Sequence, residues 1–270
     1  MIHFANAVAN EIAKEIDDVS VKTLAYDYSQ KPPLHLNPDP KVIIELCTTS
    51  VSYLHPYTHG QNRQFRERLK GWSKMTDRIY IWDYLVNFEN YMAPHPNLRT
   101  LGPNVKFFAR NGVAGIFAQG AYEGDARFTE LVELRRWLLL KLYWNPGLHA
   151  ADLIDEFLAG YYGAAAPHIK DYIDLVHDEA EISGTTLGMM QSVFSDDYLS
   201  FETMSQSLAH LRAGAAAVAD DADRCRARPD RDRAGAVCVF DALGRLSCDR
   251  RIDRRPMAPR RRNGNGLRSL

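Results

Sequence analysis

The chain has 270 residues, 46% apolar and 25% charged, which is the balance of a folded globular protein and excludes wholesale disorder. No apolar run approaches the roughly eighteen residues of a membrane span, the opening MIHFANAVANEIAKEI has no signal-peptide core, and four cysteines without a CxxC exclude a zinc ribbon or disulfide scaffold. The net charge of −1 averages two unlike pieces: residues 1–220 hold 27 acids against 19 Lys+Arg, whereas residues 221–270 hold 7 Asp against 14 Arg.

In chain order, Ile2, Phe4, Val8, Ile12, Ala13 and Ile16 recur at helical spacing and predict a helix over 2–16. VKTLAY predicts a strand at 21–26, and the prolines between 32 and 40 keep the next stretch out of helix. VIIELC (42–47), short and β-branched, predicts a buried strand. A loop with His55, Pro56 and His59 leads into a helix over about 61–75, with Phe65, Leu69 and Trp72 on one face. IYIWDY (79–84) is the third strand. Pro94 and Pro96 precede a helix over about 97–111 that Asn111-Gly112 ends, and VAGIFAQG (113–120) is the fourth strand. Helices over about 128–143, 149–161 and 165–182 follow.

This alternation predicts an α/β fold with a parallel sheet, either doubly wound or a (β/α)8 barrel. No GxGxxG or GxxxxGK turn follows a strand, which weighs against a nucleotide site. Instead Tyr26, Cys47, Trp82-Asp83-Tyr84 and Gln119 gather at strand C-terminal ends, where barrel enzymes place their chemistry. Four strands cannot close a barrel. The expectation is the C-terminal half of a (β/α)8 (TIM) barrel over 1–145, a helical segment over 146–215 and an Arg-rich tail over 221–270. Three of the four cysteines (Cys225, Cys238, Cys248) fall in that tail, whose composition fits out-of-frame GC-rich coding. The alternatives for it are a disordered native tail or a nucleic-acid-binding arm.

TLAYDYSQKPP (23–33), WSKMTDRIYIWDY (72–84), PHPNL (94–98), GPN (102–104), GIFAQG (115–120), KLYWNP (141–146) and DEFLAGYYGAAAPHIKDYID (155–174) together resemble the bacterial domain of unknown function 4838. That resemblance runs from about Phe4 to Leu211. It implies a relative of glycoside hydrolases, akin to the α-glucuronidase and β-hexosaminidase barrels, often exported. It also implies that members carry a further N-terminal half, so that this chain is a fragment without turnover of its own. A half barrel would leave strands 21–26 and 113–118 as free edges and the inward Ile79, Ile81 and Phe117 uncovered, an invitation to self-association.

Within this frame, strand alternation groups Glu45 with Ile43 and Cys47, Asp83 with Ile79 and Ile81, and Gln119 with Gly115 and Phe117. The expectation is that Glu45, Asp83 and Gln119 point into one crevice, with Asp83 and Glu45 as the paired carboxylates that glycoside cleavage requires. The plainer alternatives are a strand-end residue satisfied by backbone N–H groups for Asp83 and a buried ion pair for Glu45. Trp82 and Tyr84 are candidate sugar-stacking platforms, one of them expected beneath a helix. Tyr26, Gln119 and Glu123 are candidate hydrogen-bonders to substrate. His55 and His59 flank Pro56 in a loop rather than sharing a helix face, so no metal is expected, and no cofactor. Cys47 reads as a small buried hydrophobe, and Tyr161-Tyr162 as packing for a helix end. A non-catalytic carbohydrate-binding protein is the competing reading.

Overall fold

The structure, a computed structural model, describes residues 1–121, 129–192 and 197–227, with side chains to residue 219. Helix α1 (Ile2–Ile12) precedes strand β1 (Val21–Ala25), and β2 (Val42–Cys47) follows the proline-rich connection. Helix α2 (Arg63–Trp72) leads to β3 (Ile79–Tyr84), and α3 (Leu98–Arg110) leads to β4 (Val113–Gln119). The four strands pair in parallel in the order β1-β2-β3-β4. Parallel neighbours need crossovers: α2 and α3, whose apolar stripes the sequence spells out, supply the second and third, and the proline-rich connection supplies the first. Gly112 takes φ 71°, the left-handed turn that lets α3 stop and β4 start at once.

One face of the sheet is the core. Val42, Ile44, Leu46, Ile79 and Ile81 are completely buried there, together with Leu69 and Trp72 of α2 and Leu98 of α3. Ile2, Ala5 and Ala9 of α1 join the same cluster. Ile79 and Ile81, expected to be uncovered, therefore lie under helices, whereas Phe117 is 47% exposed on the other face. Tyr57 stacks among Phe65, Phe107 and Phe108 to complete the apolar floor.

Four helices follow: α4 (Val132–Trp144), α5 (Ala150–Tyr162), α6 (Ala166–Ser183) and α7 (Phe201–Ala227). Helix α7 was not anticipated, and it runs through the expected boundary at 215–221; residues 228–270, which hold most of the Arg-rich tail, lie outside the described residues. Hydrogen bonds and ion pairs seat the helical segment on the rest of the fold. Leu98 N–H donates to His177 Nε2 at 3.1 Å, so α6 caps the start of α3. Arg99 pairs with Asp174, Asp178 and Glu181 across the same contact. The loop after α6 then closes over the strand ends, with Tyr53 N–H on Leu187 O, Phe88 N–H on Met189 O, and Asn87 bonded twice to Gln191. Among the described residues no helix is long and apolar enough to cross a membrane.

Candidate functional site

Residues in register across a parallel sheet share a face. Leu24 pairs with Glu45, Glu45 with Tyr80 and Tyr80 with Gly115; one step towards the strand ends, Cys47 pairs with Trp82 and Trp82 with Phe117; last, Tyr84 pairs with Gln119. All these side chains lie on the face away from the helices. There Leu24 is 41% exposed, and Tyr80, Trp82, Tyr84 and Gln119 are half-buried.

Aromatic rings form a shelf on this face. Trp82 meets Phe117 edge-on at 4.7 Å and Tyr84 at 6.3 Å, and its indole N–H donates to Gln119 Oε1 at 2.5 Å. Both Trp82 and Tyr84 are on the shelf, which corrects the expectation that one packs beneath a helix: two residues apart in a strand, they must share a face. Burial, and then the neighbouring Cys47, Tyr26 and Asp27, push the Tyr84 phenol well up. Tyr80 leans over Gly115, where an added Cβ would sit 2.7 Å from the ring. Glycine there keeps the ring flat against β4.

Glu45 occupies the middle of the face and is 1% exposed. Its Oε1 accepts from Lys22 Nζ at 2.9 Å, while Oε2 is buried and has no hydrogen-bond partner among the described residues. Cys47 is buried beside it, its thiol pushed up to about 12 by burial and then by the carboxylates of Glu45 and Asp27.

Asp83 is elsewhere. It pairs in register with Ala118, one residue out of phase with Trp82 and Tyr84, so its side chain passes to the helix side. There it is 4% exposed, and Oδ1 accepts from the Tyr57 hydroxyl at 2.6 Å and the Thr48 hydroxyl at 3.1 Å. The expectation that Glu45, Asp83 and Gln119 converge in one crevice is therefore corrected: Glu45 and Gln119 share a face, and Asp83 lies on the other. The physical reason is the isoleucine pair. Ile79 and Ile81 go to the apolar core, and period-2 alternation carries Asp83 with them. The hydroxyls that satisfy Asp83 come from side chains rather than from backbone N–H groups.

Two features of the site went unread. Lys22, an exposed strand residue by its pattern, reaches the central carboxylate. Asp27, just past β1, holds φ 44° in the left-handed region and acts electrostatically on both Cys47 and Tyr84. A tight turn seats it, with Tyr26 N–H on Ser29 Oγ and Ser29 N–H on Tyr26 O. Asp directly after a strand and two residues before Ser was the available signal, because Asp tolerates this conformation better than most residues. Of the remaining candidates, Glu123 lies outside the described residues. His55 and His59 stack ring on ring at 4.2 Å, and Tyr161 and Tyr162 pack on Phe157 at the end of α5.

No curated protein and no solved structure matches this chain. Residues 1–174, well over half of its length, match the family described as Domain of unknown function (DUF4838), and the chain belongs to that family.

Proposed function

We propose that the sheet face carrying Trp82, Tyr84 and Phe117 is a carbohydrate-binding surface of the glycoside-hydrolase type, on a sheet that is one part of a (β/α)8 barrel. The observation that carries this reading is the shelf itself: contiguous aromatic rings at strand C-terminal ends, flanked by the polar Tyr26, Glu45 and Gln119. Pyranose rings present apolar C–H faces that suit such rings, while their hydroxyls need fixed donors and acceptors beside them. Recognition is favoured over cleavage by the pair read from the sequence, because Asp83 and Glu45 lie on opposite faces and cannot flank one scissile bond.

A second reading, hydrolysis, is favoured by one observation. Asp27 sits in a strained backbone conformation at the rim of the same face as Glu45, and such strain gathers at functional sites. Glu45 and Asp27 would then be the working carboxylates. Calorimetric titration of the chain with neutral monosaccharides tests the first reading: binding that Trp82→Ala weakens supports it, and no binding sinks it. Turnover of aryl glycosides that both Glu45→Gln and Asp27→Asn abolish would establish the second.

A further inference from the structure

We infer that the open face recognises an ammonium group, placed against Glu45, and so selects amino sugars over neutral or acidic ones. This deepens the proposed carbohydrate reading and rests on it for the sugar part alone.

The inference starts from an unpaired oxygen. Glu45 is 1% exposed, on a central strand, and among the described residues its Oε2 has no donor. A buried carboxylate oxygen left in this way costs free energy until something donates to it. Among the described residues the carboxylate's one donor is itself a primary ammonium, Lys22 Nζ at 2.9 Å on Oε1. Lys22 comes from the edge strand and its side chain is 49% exposed, so the donor on Oε1 is a flexible, hydrated arm rather than a packed group. A ligand ammonium would take the place of Nζ on the carboxylate once the exposed Lys22 arm swings aside.

Three surroundings favour a cation there over a neutral hydroxyl. Asp27 adds a second negative charge at the rim, and among the described groups that act on Cys47 the carboxylates Glu45 and Asp27 outweigh the single cation Lys22. Tyr80 and Trp82, in register with Glu45 and Cys47, line the same face, and aromatic π-clouds attract cations. Finally, an N–H⁺ donor to a buried carboxylate makes a hydrogen bond roughly twice as strong as a neutral donor does. An anionic sugar would meet Glu45 and Asp27 with like charge.

The test is calorimetry on the full chain with glucosamine, glucose, glucuronate and cyclohexylammonium, the last a ring amine without hydroxyls. Glucosamine should bind about tenfold tighter than glucose, the order of gain that a charge-assisted bond supplies, with glucuronate weakest. Glu45→Gln, which preserves shape, should erase that preference. Lys22→Met, which keeps the apolar stem and removes the internal competitor, should widen the preference for both amines over glucose. Glucose binding as tightly as glucosamine, or a preference that survives Glu45→Gln, overturns the inference while leaving the carbohydrate reading intact. Cyclohexylammonium bound through Glu45 with no sugar bound leaves the ammonium site standing and removes the carbohydrate reading. No binding of either amine overturns the site.

Discussion

The Tyr57 hydroxyl donates to Asp83 Oδ1 at 2.6 Å, joining the loop after β2 to the last turn of β3 from beneath the sheet. Thr48 donates to the same oxygen, and the Tyr53 hydroxyl in turn donates to Thr48 O, so three hydroxyls and one carboxylate link the ends of two strands. Burial pushes the Asp83 carboxyl from its ordinary 3.8 up to about 6, although the two hydroxyl donors pull it back. Across the same core His177 is held neutral: burial lowers its pKa to about 4, Nδ1–H donates to Ile173 O at 2.7 Å, and Nε2 must stay unprotonated to accept from Leu98 N–H.

These two groups oppose each other in pH. Asp83 has a raised pKa, so between 3.8 and 6 the folded state holds a proton that the unfolded state has lost, and stability falls as pH rises through that window. His177 has a lowered pKa, so between about 4 and 6.5 the unfolded state holds the extra proton, and stability is lost as pH falls. Each displacement corresponds to about 3 kcal/mol, so the two nearly cancel in the wild type. Asp83→Asn, which keeps the oxygen acceptor, should expose the histidine and make stability climb by about 3 kcal/mol more than wild type between pH 4 and 6.5. His177→Gln should tilt the profile the other way. Urea unfolding at half-unit pH steps measures both, and parallel profiles for wild type and Asp83→Asn would refute the compensation.

Tyr57→Phe removes one donor from a buried carboxylate without changing ring volume. The expected loss is about 1.5–3 kcal/mol above pH 6, the range for hydrogen bonds to charged groups. Because Tyr57 donates to the ionised form, the Asp83 titration should also move to higher pH in this variant. Carbon-13 NMR of the Asp83 carboxyl reads that shift directly; an unchanged or lower midpoint contradicts the hydrogen bond.

A buried ion pair anchors the helical segment. Arg135 of α4 is 4% exposed, pairs with Glu130 at 2.8 Å and donates to Asn97, while the Tyr172 hydroxyl of α6 donates to Glu130 at 3.1 Å. Arg135→Met leaves Glu130 buried without its countercharge and should cost about 3–5 kcal/mol. Adding Glu130→Gln should recover part of that loss, since no charge then remains to be compensated. Guanidinium melts of the single and double variants check this, and a double variant less stable than Arg135→Met would show that the charge was not the problem.

The sheet was legible because its signals are local. VIIELC and IYIWDY span Val42–Cys47 and Ile79–Tyr84 in both readings, since short β-branched and aromatic runs bounded by breakers have few alternatives. Facing was harder. IYIWDY alternates cleanly, but alternation alone does not say which set meets the helices, and the polar Asp83 suggested the wrong one. Its partners Thr48 and Tyr57 are 35 and 26 residues away, beyond any local pattern. Helix α7 is a different case: Phe201, Met204, Leu208 and Leu211 recur at helical spacing and were an available signal, whereas its second half, GAAAVADDADRCRA, carries helix propensity with little apolar stripe.

The two tryptophans nearest the sheet give the sharpest contrast between scaffold and surface. Trp72 is fully buried at the end of α2, and its indole N–H donates to Gln30 O at 2.8 Å. Truncating it leaves a cavity and an orphaned carbonyl, so Trp72→Ala should cost about 3–5 kcal/mol and lower the midpoint of thermal unfolding by many degrees. Trp82 is half-buried and rests on Phe117 and Tyr84, with Gln119 as its hydrogen-bond partner. Trp82→Ala removes ring contacts on one side only and should cost about 1 kcal/mol, in the ordinary range for single substitutions. Its effect should fall on binding instead, with sugar affinity reduced by about tenfold through the loss of an aromatic contact worth about 1 kcal/mol or more. Trp72→Phe, which keeps most of the buried volume, should leave affinity intact while lowering stability. Thermal melts and calorimetric titrations of the three variants separate the two roles. If Trp82→Ala unfolds the chain as severely as Trp72→Ala, the shelf is core packing and not a binding surface.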